Sequence, residues 1–113
     1  MPYIEITTNI KVDEEKKNSL LKDLGKAIDT FPGKSERWLM NAVSDGTTMS
    51  FSGDVSPCIM AKVSIFGSSS REYYDKMTGK LCELFEKNLG IPKDRVYIKY
   101  EECSLWGFNG GNF

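Results

Sequence analysis

Histidine does not occur anywhere in this chain of 113 residues. Its absence removes Ser-His and Cys-His nucleophile pairs, histidine metal sites and histidine general bases together. Proton handling near neutral pH must then come from a perturbed carboxylate, lysine or thiol, or from a terminal amine. Long apolar runs are also missing, and so is an apolar leader of the signal-peptide kind. The expectation is a chain made in the cytosol and not inserted in a membrane, with any export following another route. Charge of one sign is absent too. Fifteen basic and 16 acidic residues give a formal net charge of -1, which leaves no electrostatic footprint for nucleic acid. Cysteine is sparse. Cys58, Cys82 and Cys103 are odd in number and lack metal-ligand spacing, so they read as free thiols acting as small core hydrophobes, with no metal site. Ala61 stands where a C-x-x-C starting at Cys58 would need its second thiol, so dithiol redox chemistry is not supported.

What remains is an ordinary globular balance, 40% hydrophobic and 27% charged, long enough for one domain over residues 1–113 with its own core. The opening "YIEITT" alternates as a strand from Tyr3 to Thr8. Asp13 offers an N-cap to a helix whose apolar stripe is Leu20, Leu24, Ala27 or Ile28, and Phe31, stopped by Pro32-Gly33. "RWLMNAV" predicts a strand from about Arg37 to Val43, "SDGTT" a turn, and "MSFSGD" a short strand or edge. The plan then repeats. "CIMAKVSIF" predicts a strand from about Cys58 to Phe66, and Ser69 with Glu72 has capping-box spacing. A helix follows with Tyr74, Met77, Leu81, Leu84 or Phe85, and Leu89 on one face, closed by Gly90. "RVYIKYEE" predicts the fourth strand, and "WGFNGGNF" an aromatic, glycine-rich tail without the context of a phosphate loop.

These elements form two β-α-β pseudo-repeats, about 1–57 and 58–113. Each helix crosses between two strands, which favours a parallel pair within each half. The fold class is α+β: one four-stranded mixed sheet with two helices on one face. The opposite face lacks helices, and a strand such as "CIMAKVSIF" looks too apolar to leave wet. The expected cover is another copy of the chain.

Pro2 raises the chemical question. A buried strand usually starts with a hydrogen-bonding N–H, and proline withholds one. Loss of Met1 before a small residue would expose a terminal secondary amine, and such an amine titrates near about 7.7–8.0 when unperturbed. Burial or a nearby lysine would lower that value and free the base at neutral pH. Pro2 can thus supply what a chain without histidine lacks.

Taken together and in register, "MPYIEITTN", "PGK", "FSGDVSPC", "DRVYIKY" and "WGFNGGNF" resemble the macrophage migration inhibitory factor family of the tautomerase superfamily. The resemblance runs from end to end. It implies a homotrimer with active sites at subunit interfaces and no cofactor. It implies keto–enol tautomerisation of phenylpyruvate-type 2-oxo acids and of dopachrome derivatives. Pro2 matches the family's catalytic amino-terminal proline, and Lys34 the lysine that meets the substrate carboxylate. Phe66 falls where an isoleucine contributes its backbone N–H, and Tyr97 matches the pocket tyrosine. Trp38 stands where tyrosine is common and Phe108 where tryptophan is common, so an aromatic wall persists. Lys99 departs from a frequent asparagine; sharing a strand side with Tyr97, it should lie near the pocket rim if Tyr97 faces the pocket. The resemblance further implies a cytokine-like ligand, secreted without a signal peptide, for a host cell-surface receptor. The alternative is such a receptor-binding homologue with vestigial catalysis.

Overall fold

The computed structural model describes residues Met1–Phe113. Strand β1 (Pro2–Thr8) is followed by helix α1 (Glu14–Ala27), strand β2 (Met40–Ser44), strand β3 (Ile59–Phe66), helix α2 (Arg71–Leu89) and strand β4 (Val96–Cys103). A small hairpin of β5 (Gly107–Phe108) and β6 (Gly111–Asn112) completes the chain. The main sheet has the order β2-β1-β3-β4. β1 runs parallel to β2 and β3 parallel to β4, while β1 and β3 meet antiparallel at the centre. The sheet is therefore mixed, and each half contains the parallel pair that its crossover helix requires.

Alternation decides which side chains reach the core. In β3, Ile59, Ala61, Val63 and Ile65 are buried, and Ile4 and Ile6 of β1 lie beside them. They meet Leu20, Leu24, Ala27 and Ile28 from the first helical segment and Met77, Leu81, Leu84 and Phe85 from α2. Each large apolar side chain buried this way contributes about 1.5–3 kcal/mol relative to exposure. Asp13 caps α1 by accepting the Lys16 amide at 2.8 Å, and Gly90 closes α2 in the left-handed region at φ 67°.

Four expectations change. β2 begins at Met40, because Glu36–Trp38 form a 3-10 turn. Its register with β1 starts at Tyr3↔Met40; the preceding β1 residue, Pro2, has no N–H to offer a further ladder bond. The N-cap of α2 is Ser70, which accepts the Tyr73 amide, and not Ser69. The Ser69 amide instead reaches the Glu102 carboxylate at 3.4 Å, leaving Glu72 simply as an acid in the first turn. "MSFSGD" is a tight turn with a single Phe51–Asp54 bridge, Ser52 and Gly53 both at positive φ. Finally, the open face is not the apolar surface expected of "CIMAKVSIF". The side chains there alternate out of the core, and the face carries Tyr3, Glu5 and Thr7 beside Met60, Lys62 and Ser64 and then Tyr97, Lys99 and Glu101.

Candidate functional site

The N-terminal end of β1 opens into a cavity of about 560 Å³. Pro2 lines it, at the position paired with Ile65 on β3. The 3-10 turn brings Arg37 and Trp38 to one wall, Leu39 and Met40 continue that wall, and Trp106 and Phe108 bring the C-terminal segment to another. Turn chemistry places that segment. Asn109 and Gly110 both adopt positive φ, 52° and 83°, as a two-residue hairpin requires. The hairpin then sets Phe108 edge-on to Trp38 at 5.4 Å between centroids. Phe113 stacks on Phe108 at 6.0 Å and meets Phe66 at 5.8 Å. The tail aromatics thus pack within their own chain.

Lys34 and Phe66 connect to this cavity through the backbone. The Lys34 ammonium donates to the Phe66 carbonyl at 3.1 Å. The Phe66 amide donates to the Met1 carbonyl at 3.0 Å. Met1 itself lies in the cavity. Its terminal amine is held below the ordinary value for such a group, first by burial and then by the positive charge of Lys34. The environment at the start of β1 therefore disfavours a protonated amine, the direction a general base needs.

Tyr97 and Lys99 lie elsewhere in the protomer. Tyr97 is 63% exposed and packs on Phe51 at 4.6 Å between centroids. It pairs with Met60, whereas Pro2 pairs with Ile65 on the same strand. Five residues of β3 at ~3.3 Å each separate the two positions by roughly 16 Å. Lys99 sits one pair further along the open face, opposite Lys62. Of the seven residues singled out from the sequence, Pro2, Trp38 and Phe108 line the cavity, Lys34 and Phe66 support its inner end, and Tyr97 and Lys99 are not brought to it within one chain.

Sequence reading missed Arg37, Trp106, Phe113 and Cys103. Arg37 was assigned to a strand and so given no site. The aromatics of "WGFNGGNF" are visible in the sequence, but only the hairpin geometry brings Phe113 to Phe66 and leaves Trp106 lining the cavity. Cys103, at the end of β4, lines the cavity rather than packing in the core. Cys58 is buried, as expected of a small core hydrophobe.

The family model described as macrophage migration inhibitory factor (MIF) matches residues 1–113. The macrophage migration inhibitory factor homolog of Brugia malayi is 31% identical, covering 100% of this chain and 99% of its own. The macrophage migration inhibitory factor of Xenopus laevis is 30% identical with the same coverage. Among solved structures, Leishmania major MIF2 matches with a TM-score of 0.93 at 30% identity, covering 100% of this chain and 97% of that one. The homologue from Prochlorococcus marinus matches with a TM-score of 0.89 at 33% identity, covering 98% of each chain. A family match across the whole length, on a fold with the same double β-α-β plan, leads to one conclusion: the chain belongs to the macrophage migration inhibitory factor family.

Proposed function

We propose that this protein is a tautomerase acting on phenylpyruvate-type 2-oxo acids, with dopachrome derivatives as further substrates. The observation that carries the reading is the position of Pro2 at the head of β1, in an aromatic cavity where the neighbouring Met1 amine is pushed below its ordinary value by burial and by Lys34. Removal of Met1 makes the Pro2 nitrogen that amine. It also frees the Phe66 amide from the Met1 carbonyl it now serves.

The reaction needs no cofactor. The Pro2 nitrogen takes a proton from the carbon beside the ketone. The C–H electron pair becomes the carbon–carbon double bond, and the carbonyl π pair moves onto oxygen. The prolinium then gives its proton to that oxygen, so the net change is an isomerisation. Lys34 leaves the Phe66 carbonyl to meet the substrate carboxylate, and the Phe66 amide donates to the bound acid. Trp38 and Phe108 hold the ring and exclude water, which keeps Pro2 neutral.

The same proposal makes the assembly a homotrimer. The roughly 16 Å between Pro2 and Tyr97 along β3 means that Tyr97 serves a neighbour's Pro2, with Lys99 nearer along the same face. The polar open face suits a wet channel between sheets better than a dry core. Membership of a family named for inhibiting macrophage migration is the ground for a second proposed activity, as a cytokine-like ligand for a cell-surface receptor. Pro2→Gly separates the two: lost turnover with receptor binding kept would place signalling on the surface and not in catalysis.

The test is phenylpyruvate tautomerisation by protein whose N-terminus is verified by intact mass. Protein beginning at Pro2 should turn over, and protein with an added N-terminal residue should lose about 10²- to 10⁴-fold, the range for loss of a general base. Equal rates from the two forms would reject Pro2 as the base.

A further inference from the structure

The cavity at Pro2 carries a charge that the proposed proton transfer does not use. Arg37 is the sole charged side chain among the residues lining it. None of the six ion pairs in the protein includes Arg37. Its guanidinium instead lies 5.1 Å from the centroid of the Trp38 ring. The adjacent acid, Glu36, is turned the other way. The Glu36 carboxylate fills the space over Gly25 of α1, where a Cβ would collide with it. The 3-10 turn thus sends one charge back onto the helix and the other into the cavity. Lys34 stands separately, bonded to the Phe66 carbonyl and acting on the terminal amine. Two cations therefore stand at two places, Arg37 on the aromatic wall of the cavity and Lys34 outside its lining, acting on the terminal amine, and no carboxylate lines the cavity.

We infer that this site selects substrates with two anionic groups: an aryl 2-oxo acid whose far end carries a second carboxylate, held by Arg37. The 2-oxo end rests on the tautomerase reading above; the second anion rests on Arg37 alone. A substrate with one carboxylate is satisfied by Lys34 and leaves Arg37 idle. A ring lying against Trp38 and Phe108 separates the two ends of a diacid. Arg37 is suited to the outer end because its planar fork donates two parallel bonds to a carboxylate. Its stacking on Trp38 restrains the guanidinium before the ligand arrives, so less freedom is lost on binding.

Equilibrium binding with ligands that cannot react tests this apart from catalysis. Trp38 and Trp106 both line the cavity and are the two tryptophans of the chain, so quenching of intrinsic fluorescence reports occupancy. The ligands are 3-phenylpropanoate and 3-(4-carboxyphenyl)propanoate. The unsubstituted protein should bind the dianion about tenfold more tightly, the low end for a charge-assisted pair at a solvent-accessible site. Arg37→Gln should abolish that preference, Arg37→Lys should retain part of it, and added salt should shrink it. Equal affinity for the two acids in the unsubstituted protein overturns the inference, whatever the variants do. An undiminished preference in a folded Arg37→Gln overturns it as well and reduces Arg37 to a cover for Trp38. A dianion preference in protein that fails to turn over phenylpyruvate would reject the tautomerase reading and keep the diacid site.

Discussion

In the proposed mechanism, Lys34 is the side chain that ties substrate binding to the strength of the base. Its charge is the second cause, after burial, of the lowered Met1 amine, one residue before Pro2. A cation beside an amine disfavours the protonated form, so removing the cation makes protonation easier and raises the pKa. Lys34→Ala should therefore move the acid limb of the pH–kcat/KM profile for phenylpyruvate to higher pH. Burial remains in the variant, so the shift is partial, and the KM should rise because the carboxylate anchor is gone. Titrating the rate at low and high salt checks both effects, since screening should reduce the difference between variant and parent. An acid limb that overlays the parent at low salt would separate Lys34 from the base. At this scale the sequence was informative for a chemical reason. A chain without histidine directs attention to its terminal amine, and a proline after Met1 is an amine that a strand can hold still. Arg37 was not legible, because nothing in "ERWLM" marks a 3-10 turn that splits Glu36 from Arg37.

Among the elements, the 51–57 turn depends most on one residue. The Arg95 guanidinium donates to the carbonyls of Phe51, Ser56, Asp54 and Pro57 at 2.8, 2.8, 3.1 and 3.2 Å. It also lies 5.1 Å from the Phe51 ring, which in turn packs on Tyr97. Arg95→Met keeps the aliphatic stem and removes every donor. It should lower unfolding stability by about 2 kcal/mol, less than the sum of four bonds because water replaces part of them. Amide exchange in residues 51–57 should accelerate while the β1 and β3 amides keep their protection relative to global unfolding. Uniform loss of protection would instead assign Arg95 to the core. The helices were readable because their stripes repeat every three or four residues and their ends carry Asp13 and Gly90. The cap of α2 was not, since three serines precede Arg71 and only tertiary placement, with Ser69 held by Glu102 and Ser70 accepting the Tyr73 amide, decides between them. The start of β2 was unreadable for a related reason: it is set by the 3-10 turn over Glu36–Trp38, which the apolar pattern of "RWLMNAV" does not mark.

For the whole molecule, the polar open face and the distance between Pro2 and Tyr97 make assembly the step that completes the proposed site. Light scattering at micromolar concentration should report about three times 12.8 kDa. A monomer would leave Tyr97 and Lys99 without a role in catalysis. The two-fold repeat was legible in the chain, while the character of the open face was not. Met60, Lys62, Ser64 and Phe66 alternate with the buried residues of β3 and look apolar only when the run is read without its pleat. The central claim, that the assembled protein holds Pro2 as a neutral base, is tested most directly by NMR titration of Pro2 in isotope-labelled protein from which Met1 has been removed. The Pro2 amine should titrate below the ordinary range of about 7.7–8.0, at the same pH as the acid limb of kcat/KM for phenylpyruvate. An amine that titrates within or above that range, or at a pH unrelated to the rate, would contradict it.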